Sequence, residues 1–101
     1  MNQNCKEFLM SQFGDESVVE ELYAEFVESF PKTVEEAASL AAARDWEKLD
    51  RAAHALKGNA LVMGHAEAAD AAIELRRAAK LADAEKTDEY VALLRKCAAE
   101  L

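Results

Sequence analysis

The sequence predicts an all-α fold: an antiparallel up-down four-helix bundle with a short additional helix at its N-terminus. Three observations carry this expectation. Alanine supplies 22 of the 101 residues, and it is the best helix former because it loses no side-chain entropy and buries no polar group. Only three Gly and one Pro are present, which leaves few places to turn. Apolar residues recur at helical spacing along most of the chain. The length fits a single domain over 1–101, with a core bundle over about 15–101.

Residues 3–13 read as a short helix with Cys5, Phe8, Leu9 and Phe13 on one stripe, broken by Gly14 and Asp15. Ser17-Val18-Val19-Glu20 matches a capping box, in which hydroxyl and carboxylate each satisfy a free helix N–H. From there Val18, Leu22, Phe26 and Phe30 recur every four residues, beside Val19, Tyr23 and Val27. Pro31 removes one hydrogen bond. The pattern resumes with Val34, Ala37, Ala38 and Ala41, so one long bent helix is expected to reach about 43. Asp45 is a candidate N-cap for the next helix. Trp46, Leu49, Ala53, Leu56, Ala60 and Met63 form its seam, the pattern of helices packed nearly parallel. Gly64 can end it in the left-handed conformation. A fourth helix is expected over about 66–82 on Ala68, Ala72, Leu75, Ala79 and Ala82. Asp83 or Thr87 would cap a fifth, seamed by Tyr90, Leu94, Cys97 and Leu101 and flanked by Val91 and Ala98. Connections this short favour antiparallel neighbours.

Charge narrows the function. The net −8 argues against a nucleic-acid binder, which needs a basic face. Residues 51–82 nevertheless hold three acids against five bases, Arg51, Lys57, Arg76, Arg77 and Lys80. A locally basic stretch suits docking something acidic. No segment approaches the roughly 20 apolar residues of a membrane span, and MNQNCKEFLM is not a secretory signal. Cys5 and Cys97 form no ligand pattern. A cytoplasmic, monomeric protein that touches neither membrane nor nucleic acid is expected. The initial Met1 and the length favour a free-standing protein.

The residues around His54 carry the chemistry. With Ala53 on the seam, His54 stands about 100° round the helix and faces solvent. Gly58, at i+4, stacks on the same face. A mid-helix Gly costs about 1 kcal/mol relative to Ala, and what it provides is close access to the imidazole. Lys57, at i+3, can neutralise oxygens of a phosphoryl group on His54. Leu61, at i+7, shares the face and is a candidate apolar docking contact. With the hairpin turn near 64–65, antiparallel register sets His54 level with about residue 75. Arg76 is then at the right height to help hold phosphate oxygens. Arg77 and Lys80 read as a solvated basic face, and His65, in the turn, as a residue without a role. Asp50 and His54 could share one metal, yet a bundle metal site needs a second pair and the sequence has none, so no metal is expected. No Gly-rich phosphate loop is present, which argues against ATP use.

The string Ala53-His54-Ala55-Leu56-Lys57-Gly58-Asn59-Ala60-Leu61-Val62-Met63-Gly64 resembles the signature of histidine-containing phosphotransfer (HPt) domains. The likeness covers about residues 15–100 and includes Pro31 and Asp45-Trp46. It implies a four-helix bundle whose His54 accepts phosphate from an aspartyl phosphate on a receiver domain and passes it to another, with Lys57 steadying the phosphate and Gly58 giving access. The chain would be a carrier, not an autonomous enzyme, binding no cofactor itself. Its partners would be response-regulator receiver domains or a hybrid sensor histidine kinase, with the divalent metal on the receiver. Asn59, His65, Ala68, Ala72 and Arg76 depart from the common pattern, the last on the partner-facing surface. The alternative is a module of the same fold that docks a kinase or receiver without carrying phosphate.

Overall fold

The computed structural model describes residues 2–101, and these contain five helices and no strand. They are α1 (Gln3–Phe13), α2 (Glu16–Ala42), α3 (Trp46–Val62), α4 (Ala66–Lys80) and α5 (Ala84–Ala99). The molecule measures 42 × 19 × 19 Å. The long axis is the length of α2, whose 27 residues span about 40 Å at 1.5 Å per residue. Each of α2, α3, α4 and α5 packs on two of the others, α2 on α3, α3 on α4, α4 on α5 and α5 on α2, while α1 lies on α2. The helix runs through Pro31 without a break.

The core is built from seam residues, with two of the expected stripes displaced. On α2 the buried line is Val19, Tyr23, Phe26, Phe30, Val34, Ala37 and Ala41, while Val18 and Val27 are exposed. On α5 it is Thr87, Val91, Leu94 and Cys97, with Tyr90 only half-buried and Leu101 beyond the helix end. In both helices adjacent apolar residues, 100° apart, leave two candidate seams, and packing selects the one that faces the neighbours. On α1 only Cys5 and Leu9 are buried, while Phe8 is 37% and Phe13 51% exposed. Asn2 N–H donates to Tyr23 Oη (2.8 Å), which ties α1 to α2.

The expected capping box at Ser17 does not form. Asp15 caps α2 instead, its carboxylate accepting from the N–H of Ser17 (2.9 Å) and Val18 (3.4 Å) and from the Ser17 hydroxyl (2.8 Å). An ionised acceptor against the positive helix end wins over a neutral hydroxyl. Those hydrogen bonds, led by the Ser17 hydroxyl, hold the Asp15 carboxyl below the ordinary aspartate value.

The connections at 43–45, 63–65 and 81–83 share one plan. A right-handed residue (Ala43, Met63, Leu81) precedes a left-handed one (Arg44, Gly64, Ala82) and then a capping residue (Asp45, His65, Asp83). The N–H of each capping residue returns to a carbonyl five residues back, at Leu40, Ala60 and Ala78. Ala82, expected on the α4 seam, is therefore the exposed left-handed turn residue, and Asp83 rather than Thr87 caps α5. Two turns tolerate a side chain at positive φ. The third needs glycine for a second reason, since a Cβ at Gly64 would overlap Cγ and Cβ of Phe8.

Candidate functional site

Leu49, Ala53, Leu56 and Ala60 are fully buried and fix the rotation of α3. This leaves His54, Gly58 and Leu61 exposed on the outer side. On α4, which packs against α3, the residues Ala68, Ala72, Leu75 and Ala79 are all buried. Small side chains on both seams let the two helices approach closely, which brings α4 side chains within reach of His54.

Arg76 occupies that space. Its Nη1 lies 3.1 Å from His54 Nδ1 and its Nε donates to Asp50 Oδ1 at 2.9 Å. Asp50 lies one turn before His54 on α3, so the guanidinium bridges two residues of the same helical face. The Arg76 and Asp50 side chains are 33% and 26% exposed. A pair this close to solvent contributes at most about 1 kcal/mol to stability, so its main effect is positional. A guanidinium has no acceptor atom. The Nδ1 contact therefore requires the imidazole to present a lone pair there. Asp50 is the site residue that sequence reasoning missed. Considered only as half of a metal pair, it is instead occupied by Arg76. The available signal was an acid at i−4 from His54, with a base expected from the neighbouring helix at the same height.

Gly58 meets nothing. A Cβ built there finds no atom within 4 Å, so no close approach within this chain explains the missing side chain. Lys57 is half-buried and, among the described residues, makes no ion pair. With Ile73, Arg76, Arg77 and Lys80 it lines an open cleft of about 180 Å³ between α3 and α4. Arg77 and Lys80, read from sequence as a solvated basic face, thus share one groove with Lys57 and Arg76, although Arg77 is tied to Glu74 at 2.6 Å. Leu61 is 53% exposed and lies with Phe8 on a second cleft that extends to Gly64 and His65.

His65 is not idle. It is 9% exposed, and its Nδ1 accepts from the Ala68 N–H at 3.2 Å, capping α4 as Asp45 and Asp83 cap α3 and α5. Among the described residues no helix is long and apolar enough to cross a membrane.

The model of one protein family, the Hpt domain, matches residues 21–101. Comparison with curated proteins and with solved structures gave no match.

Proposed function

Because the chain belongs to the Hpt domain family, whose members are phosphocarrier modules of phosphorelays, we propose that His54 accepts a phosphoryl group from the aspartyl phosphate of a receiver domain and passes it to another. One observation carries the assignment to His54. An exposed imidazole stands one turn from a glycine whose missing side chain leaves space that this chain does not fill. A mid-helix glycine costs about 1 kcal/mol against alanine, and access for a partner is what that cost provides.

In this reading His54 is the nucleophile and Gly58 the opening. Lys57 and Arg76, on one cleft, hold phosphoryl oxygens, and Leu61 is an apolar docking contact. Transfer is in-line between the two proteins, so positioning and charge stabilisation supply the rate. The receiver supplies the aspartate and a divalent metal, and this chain binds no cofactor. It acts as a monomer in the cytoplasm, with receivers or a hybrid sensor kinase as partners. The short connections and the mutual packing of α2 to α5 support the antiparallel up-down order.

The test is transfer from phosphorylated receiver domains. Label is expected to leave the receiver and appear on this chain as acid-labile, alkali-stable phosphate. A full set of receivers from the source organism that transfers nothing would refute the reading.

A further inference from the structure

This inference rests on His54 as the phosphoryl acceptor and assigns positioning roles to two residues around it. A neutral imidazole has one N–H and one lone pair, on different nitrogens. Arg76 Nη1 can only donate, so its 3.1 Å contact engages the lone pair of Nδ1. The ring proton then lies on Nε2. In this arrangement neither nitrogen can attack phosphorus, because one lone pair faces a cation and the other nitrogen has none. A protonated ring offers no lone pair either, and would set an N–H against the guanidinium.

We propose that Arg76, anchored by Asp50, locks the tautomer of His54, and that phosphoryl transfer requires Arg76 Nη1 to leave Nδ1. The two contacts of the guanidinium are unequal. The Nε bond to the Asp50 carboxylate is ionic and 2.9 Å long, whereas the Nη1 bond meets a neutral nitrogen. Both bonds have a charged donor, but only the Asp50 bond adds attraction between opposite full charges, so the arginine pivots on Asp50 and the Nδ1 contact yields first. An arriving phosphoryl group offers Nη1 an anionic oxygen, a better acceptor than the ring nitrogen, and so supplies the pull.

Once Nδ1 is released, the ring can exchange its proton between the two nitrogens through water, and the nitrogen that holds the lone pair attacks phosphorus. The N–P bond forms as the P–O bond to the receiver aspartate breaks, and its electron pair leaves on the aspartate carboxylate. The other ring nitrogen keeps its proton through bond making. Asp50 touches none of the reacting atoms; it acts through Arg76 as a positioning residue.

Nitrogen-15 NMR of the neutral His54 ring tests the lock without any phosphate donor. A free imidazole in water populates both N–H forms. Wild type should show the Nε2–H form alone, Arg76→Ala both forms, and Asp50→Asn a smaller shift in the same direction. Amide dispersion in the same samples reports whether each variant is folded. Both forms in wild type, or no change in a folded Arg76→Ala, would overturn the lock. Transfer from a receiver separates the two claims. A protein that takes phosphate with an unlocked ring keeps the function and loses the lock, whereas a locked ring that never takes phosphate refutes the function and with it the lock's part in transfer.

Discussion

His54 and His65 stand on the same helical hairpin, and both present the Nδ1 lone pair to a donor. At His65 the donor is the Ala68 N–H, the ring is 9% exposed, and the histidine fills the place that aspartate fills in the other two connections. At His54 the donor is a side chain from the next helix that also holds Asp50, and the ring stands in solvent beside an empty glycine position. Residue type is the same and the local hydrogen bond is the same. What differs is the hold on Nδ1. At His65 it is backbone and part of the fold, while at His54 it is a side chain that can move. The first use suits architecture and the second suits chemistry.

The two glycines extend the comparison, and substitutions there should show the largest effects. Gly58→Phe puts bulk into open space, so the fold should survive while transfer from a receiver slows at least tenfold (~10-fold, about 1.4 kcal/mol in the barrier), measured beside a melting curve. Gly58→Ala should raise stability by about 1 kcal/mol in urea unfolding. Gly64→Ala should do the opposite. Its φ of +70° and the overlap with Phe8 together cost about 2–4 kcal/mol, read as a lower urea midpoint, with any transfer loss following the unfolded fraction.

His65→Ala removes one cap. It should cost about 1 kcal/mol and lower the melting temperature by roughly 4–8 °C, with transfer unchanged where the protein is folded. A His65 variant that folds but transfers nothing would erase the distinction between the histidines. Thr87→Val should gain about 1 kcal/mol, since the Thr87 hydroxyl is buried without a partner among the described residues. The smallest effect is at Asp15. Its folded value lies below the ordinary one, so its contribution is complete above the ordinary aspartate value and lost as pH falls through the lower folded value. Acid titration of wild type and Asp15→Asn should show a stability gap at neutral pH that closes within that window.

The helices were legible because alanine content and apolar periodicity agree over long stretches. Leu49, Ala53, Leu56 and Ala60 define the face of α3, and by exclusion the face of His54. The register of α4 followed from a tight turn, which is why Arg76 could be set at the right height before its flank was known. Contacts between side chains of different helices were not legible. Asp50 is a surface acid until Arg76 is seen to hold it. The roles of His65 and Asp15 depend on competition between neighbouring cap candidates, and comparing the three connections was the signal that would have found the first.

The central claim is that His54, and not His65, carries phosphate. The most direct measurement is phosphoryl transfer from one labelled receiver to wild type, His54→Gln and His65→Gln side by side, read as acid-labile label on each folded protein. Wild type and His65→Gln should take label and His54→Gln none. Acid-labile label retained on His54→Gln would contradict the account.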